Sequence, residues 1–432
     1  MSSSLVRAIG RWSLAALMLN GVVGSSVFGL PSVIAGKLGA MSPWAWLVAA
    51  VGIGIVIACF AEVSSRFGEA GGPYLYARTA FGRLAGIEMG WMAYLVRLTA
   101  AATNANLLVI YLAELWPAAE GPVASRLVLA ALIAPLAAVN YRGVTQGTRI
   151  STWMVAAKLT PLVLFVLLGL ALALPHSVTP AITPTIEPRA WLDAILLMVF
   201  AYGGFEAALV PLGEAQDPRR DAPFALFLVL AVCAVLYSLV QVVVSATLPD
   251  PAATAKPLAD SARMFAGPAG AVTMAVAAVI SVYGYIAGAM VNVPRLTFAM
   301  ADGGDLPAPF ARIHPRFRTP YVSVVTYAML VWVLAASGGF LQNLSLSAVS
   351  RLVTYSMVCA ALPVLRRRDG DVAYPALPPA RFRLTGGIVW AALGISFSLV
   401  LATRMTRQEF LVLSATATLG LLNWLWVRRG SP

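Results

Sequence analysis

Most of this chain is written in long apolar blocks, and that constrains its fold more than any single motif. The blocks are apolar all round rather than striped, and a helix of that kind needs a nonpolar surround. About 20 such residues, at about 1.5 Å each, match a hydrocarbon core of roughly 30 Å. Strands of a membrane barrel would alternate apolar and polar over about ten residues, and no such alternation is present. The composition agrees: of 432 residues, 60% are hydrophobic and 11% charged, against about a quarter charged in a soluble domain. The fold class expected is an all-α integral membrane protein forming one domain.

Twelve spans can be placed, at 12–36, 42–66, 84–115, 125–140, 151–174, 190–213, 222–248, 270–300, 320–337, 343–365, 385–403 and 408–427. The first block lacks a cleavage site and reads as a retained helix, not a signal peptide. With the N-terminus inside, the inner connections hold 19 of the 30 Lys and Arg and the outer ones 7. This asymmetry puts both termini in the cytoplasm, and the plasma (inner) membrane is the expected location. It also accounts for the net charge of +12 without nucleic acid.

Other chemistries find little support. Cys59, Cys233 and Cys359 sit in apolar blocks without CxxC spacing, and His176 and His314 lie in separate loops. Neither set suggests a metal, a cofactor or an enzyme nucleophile. No GxxxxGK[ST] loop or nucleotide-binding domain is present, so ATP does not drive this chain alone. Trp44, Trp46, Trp91, Trp116, Trp424 and Trp426 fall near span ends and read as an interfacial belt.

Two blocks are interrupted alike. The first reads Asn20-Gly21-Val22-Val23-Gly24-Ser25-Ser26-Val27-Phe28-Gly29-Leu30-Pro31 and the sixth Phe200-Ala201-Tyr202-Gly203-Gly204-Phe205-Glu206. Glycines loosen a helix and let a ligand approach the backbone. Freed N–H and C=O groups must then be satisfied by protein, water or ligand. Matched breaks in two repeats point to a transport site, although small residues also serve plain helix packing.

Four motifs carry a resemblance. Gly24-Ser25-Ser26-Val27-Phe28 lies in the first span, and Ala61-Glu62 with Glu69-Ala70-Gly71-Gly72-Pro73-Tyr74-Leu75-Tyr76 follows the second. Phe205-Glu206 through Glu214-Ala215-Gln216-Asp217-Pro218 closes the sixth. Pro294-Arg295 with Ala299-Met300-Ala301-Asp302-Gly303-Gly304-Asp305-Leu306-Pro307 ends the eighth. In this order the sequence resembles the amino acid–polyamine–organocation family of permeases. The resemblance implies two inverted five-helix repeats, about 12–174 and 190–365, with two further helices at about 385–427, and alternating access around a central site. It implies that the backbone of Val23, Gly24, Ser25 and Ser26 holds a substrate carboxylate. Carbonyls of Phe200, Ala201 and Gly203 would hold the amino group, and Phe200 would gate the site. Ser26 departs from the glycine usual there, so its hydroxymethyl would either crowd the carboxylate or donate to it.

Four ionisable residues lie at membrane depth, where they are costly and usually functional. Lys158 would face the first and eighth helices, where sodium-coupled relatives place the ion, and would carry a coupling proton; the alternative is snorkelling. Glu206 would share the proton role or make a structural hydrogen bond. Arg97 would approach the substrate or pair with Glu88 or Glu62. Arg351 would join a gating pair or face a polar cavity. The function expected is proton-coupled uptake of neutral L-amino acids through a bilayer. Exchange, an acidic substrate, sodium coupling and a nontransporting sensor are the alternatives.

Overall fold

The computed structural model describes residues 7, 9–143, 148–172, 187–369 and 377–429, with backbone alone for 148–153 and 429. His176 lies outside the described residues. Fifteen α-helices are found among them. In the first half these are α1 (Arg11–Val22), α2 (Ser26–Leu38), α3 (Ser42–Ser64), α4 (Gly72–Phe81), α5 (Arg83–Leu112), α6 (Pro122–Arg142) and α7 (Thr148–Leu172). The second half holds α8 (Pro188–Tyr202), α9 (Phe205–Ala208), α10 (Pro218–Thr247), α11 (Pro257–Asp302), α12 (Tyr321–Ser337), α13 (Phe340–Arg367), α14 (Gly387–Ala402) and α15 (Arg407–Arg429). Four begin on proline, whose missing N–H and fixed φ suit a first turn. Among the described residues no strand pairs with another beyond a single bridge between Ile9 and Ala215.

Nine described helical stretches are long and apolar enough to cross a membrane, and α12 and α14 are shorter apolar helices. One of the nine, Ser26–Ser64, combines α2 and α3. Burial separates centre from rim. The most apolar windows of α5 and of the α8–α9 stretch are 78% buried, whereas that of α6 is 17% buried and offers its apolar surface outward. The α5 helix packs against α4, α11, α12, α13 and α15, while α1 is held by α7, α9 and α10.

Three expectations are corrected. The helix expected at 270–300 starts earlier, at Pro257, and turns a corner at Gly267, where φ is +65°. The polar segment 257–269 hides the early start because it lacks an apolar run. Trp46 is no belt residue: it is fully buried and donates to Gln241 Oε1 at 3.0 Å, whereas Trp44, Trp116 and Trp426 are exposed. Arg97 pairs with neither Glu62, which binds Arg366, nor Glu88, which packs against Gly420.

Charged clusters tie the helix ends together. At the end carrying α1's first turn, Glu62 accepts from Arg366 Nε and Nη2, both at 2.6 Å, and from the Leu384 amide at 2.8 Å. Arg66 joins it to Asp369. Nearby, the fully buried side chain of Asp305 takes Arg83 Nε at 2.7 Å, Arg78 Nη1 at 2.8 Å and the Tyr74 hydroxyl. Burial first, then the bond to Asp305, pushes the Tyr74 phenol up to about 12, so it remains a donor. At the opposite end Glu114 holds Lys256 at 2.6 Å and also Arg263.

Candidate functional site

The two interruptions read from sequence are real breaks, and they meet. The α1 helix stops at Val22 and α2 starts at Ser26; α8 stops at Tyr202 and α9 starts at Phe205. Gly204 has φ +110°, a region that L side chains rarely enter. Its backbone passes so close to Gly21 that a Cβ on Gly21 would come 3.1 Å from the Gly204 carbonyl oxygen. Glycine is needed on both sides of this crossing, by conformation at Gly204 and by space at both.

The carbonyl end of α1 is occupied by a cation. Lys158, 1% exposed, reaches from α7 and donates from Nζ to the carbonyls of Asn20 at 3.0 Å and Val23 at 3.1 Å. An ammonium is favoured where unpaired carbonyls gather at a helix C-terminus. It does not snorkel. It also approaches α11, since a Cβ on Gly284 would lie 3.7 Å from Lys158 Cε.

The opposite side of this break is capped by a side chain that the sequence did not single out. Asn104 on α5 accepts the Ser25 amide at 3.0 Å through Oδ1 and donates to Ala100 O at 2.8 Å through Nδ2. Thus Val23 O and Ser25 N–H are already engaged by protein. Ser26 is buried with its hydroxyl near that of Tyr237, which donates to Val22 O at 3.4 Å. The Ser25 hydroxyl is buried without a partner. Gly24 sits against Asn104 and Tyr285, with room for a Cβ only at 3.0 Å from Asn104 Oδ1.

At the second break, Glu206 folds back so that Oε2 accepts the Gly204 amide at 2.8 Å, while Oε1 takes Arg351 Nε at 3.1 Å. Arg351 donates to Ser347 Oγ at 2.9 Å and lies over the Phe200 ring, 5.3 Å from its centroid. The Phe200 carbonyl accepts the Gly203 amide at 3.2 Å, and Ala201 is fully buried. Arg351 is therefore Glu206's partner. The two are 145 positions apart and nothing in the sequence pairs them.

The breaks open onto a cavity of about 100 Å³, whose polar lining includes Asn20, Arg97, Glu206, Tyr285, Asn292 and Arg351. Its walls come from α1 before the break and from the chain after the α8 break, so it faces the end where Glu62 and Asp305 lie. Arg97 Nε and Asn20 Oδ1 are buried there without hydrogen-bond partners. Unsatisfied buried polar groups of this kind mark places where water or a ligand belongs. The Glu69–Tyr76 segment backs this region: Gly71 N–H donates to Val210 O at 2.9 Å, with φ +140° at Gly71 and +54° at Gly72. No cluster of three or more potential metal ligands occurs among the described residues.

The sequence matches the amino acid permease family model over residues 9–416. It is similar to the methylthioribose transporter of Bacillus subtilis, 28% identical over 86% of this chain and 84% of that protein. It is also similar to two other Bacillus subtilis proteins. The branched-chain amino acid permease BcaP is 24% identical over 95% of this chain and 91% of its own. The serine/threonine exchanger SteT is 25% identical over 85% of each.

Proposed function

The chain belongs to the amino acid permease family of multi-pass membrane transporters, and from that premise we propose that it takes up neutral L-amino acids by proton-coupled alternating access. The observation carrying this reading is Lys158 on the broken end of α1. An ammonium on these carbonyls leaves no place for sodium there, and its proton can leave when the site opens to water. In this reading the chain crosses the plasma membrane twelve times with both termini in the cytoplasm. The α1–α2 and α8–α9 pairs are the first and sixth spans of two inverted repeats, and α14 and α15 follow them.

The substrate lies between the breaks. Its carboxylate faces the backbone of Gly24 and Ser26 beside Val23 and Ser25, whose N–H Asn104 holds, and its amino group faces the carbonyls of Phe200, Ala201 and Gly203, with Phe200 as the lid. Asn104 and Lys158 hold the first break open, and the Glu206–Arg351 pair fixes the second. The names of the relatives support amino acids as the cargo class for BcaP and SteT.

A second reading, exchange of an acidic substrate, is favoured by Arg97, whose Nε–H is unpartnered beside the cavity. Purified protein in sodium-free proteoliposomes, given neutral and acidic radiolabelled amino acids under an inward proton gradient, separates the two. Gradient-driven accumulation of a neutral amino acid supports the first. Uptake only into preloaded vesicles, restricted to acidic compounds, replaces it with the second.

A further inference from the structure

Outside the transport site, a groove of about 720 Å³ runs beside the first turns of α10. Its walls are Arg219, Arg220, Phe224 and Phe227 of α10 and Arg381 and Phe382 of the segment before α14. The charges and the rings are segregated along it. The arginines stand at the polar end. Phe227, seven residues and about 10 Å further along α10, is exposed and packs on Phe382 with ring centroids 5.7 Å apart.

The basic end is held in place. Arg219 donates from Nε to Ser65 O at 2.9 Å and from Nη2 to the Pro379 carbonyl. Arg381 donates to both oxygens of Asp217 at 2.9 and 2.8 Å yet stays half exposed. Arg220 is exposed and enters none of the ion pairs found among the described residues. Arg11 adds a further charge over the Phe224 ring and pairs with Asp221 at 3.7 Å. Four arginines thus face two carboxylates. Trp12, 67% exposed, packs edge-on to Phe224, as expected of a ring at the level of lipid headgroups.

We propose that this groove is a binding site for one anionic phospholipid, its phosphate between Arg220, Arg219 and Arg381 and its acyl chain along Phe227 and Phe382. Charge complementarity selects the occupant: the surplus is positive, and a membrane phospholipid offers an anion together with a chain for the apolar half. Basic pockets beside membrane helices are suited to such headgroups. The lipid bridges α10 to the segment that locks onto Glu62 through Leu384, so its binding tightens that end of the molecule.

The test uses the full-length protein in neutral detergent, titrated with phosphatidylglycerol, phosphatidylcholine or inorganic phosphate. Melting is followed by tryptophan fluorescence and retained lipid by native mass spectrometry. Phosphatidylglycerol is expected to raise the midpoint and to be retained at one molecule per chain. Arg220→Gln should weaken it roughly five-fold, as loss of one basic contact implies, and Arg220→Gln with Arg381→Gln should weaken it further. Arg404→Gln, an exposed arginine at the opposite end, should leave the titration unchanged. Equal titrations for wild type and the double variant would overturn the proposal, as would an equal effect from phosphatidylcholine or from phosphate. Because the readouts do not involve uptake, they stand or fall apart from the transport reading.

Discussion

The molecule treats buried charge in two ways. At the end near Glu62 and Asp305, each carboxylate is saturated. Glu62 takes four hydrogen-bond or ionic contacts from Arg366, Arg66 and the Leu384 amide, and Asp305 takes Arg78, Arg83 and Tyr74. At the centre, among the described residues, Lys158 has only backbone carbonyls and Arg97 Nε and Asn20 Oδ1 have no partner, beside a cavity that Glu206 also lines while it holds Gly204 N–H and Arg351. Saturated clusters fix geometry. Unsaturated ones can exchange partners with water, proton or substrate. In the reading proposed above, the saturated end holds the molecule together and the centre does the transport work.

The sharpest way to break the comparison is Glu62→Ala, which leaves the Arg366 guanidinium without its carboxylate and Arg66 with Asp369 as its remaining carboxylate. Removing one partner of a buried pair costs about 3–5 kcal/mol, so the midpoint of unfolding in mixed micelles should fall steeply. Glu206→Gln should cost less, about 1–3 kcal/mol, because the amide oxygen can still accept from Arg351, but it should impair uptake severely. If the two variants melt alike, the contrast between rim and centre is wrong.

The next effect depends on pH. Burial raises the Glu114 carboxyl, but hydrogen bonds from Lys256 and Arg263 outweigh it and hold the group below its ordinary value of 4.5. A carboxyl depressed in the folded state stabilises above the unfolded value and loses that stabilisation as pH falls through the folded one. Glu114→Gln should therefore melt lower than wild type at neutral pH and converge with it below about pH 4.5. Convergence at alkaline pH instead would reverse the sign. The smallest effect is expected for Arg404→Ala, whose pair with Asp193 is 29% and 32% exposed. Pairs open to solvent contribute little, and its melting midpoint should barely move.

How much was legible follows the range of each signal. The breaks at Gly24 and Gly203–Gly204 are local glycine runs, and both were readable. Lys158 stood out because an isolated lysine in an apolar block has few explanations, and its seat on α1 agrees with the expected neighbour. The Glu206–Arg351 pair and the Asn104 cap depend on helices brought together across 145 and 79 positions, which one sequence does not encode as spacing. Arg97 lines the cavity, but neither suggested carboxylate pairs with it: Glu62 holds Arg366 and Glu88 packs against Gly420. Trp46 misled because nearness to a span end does not say whether a side chain faces lipid or protein.

The central claim is that Lys158 carries the coupling proton. It is tested most directly by uptake into sodium-free proteoliposomes under an imposed inward proton gradient, comparing wild type with Lys158→Ala at equal reconstitution. The account predicts that wild type accumulates a neutral amino acid above equilibrium, whereas the variant only equilibrates or exchanges it. Equal gradient-driven accumulation by both would contradict it and remove Lys158 from the mechanism.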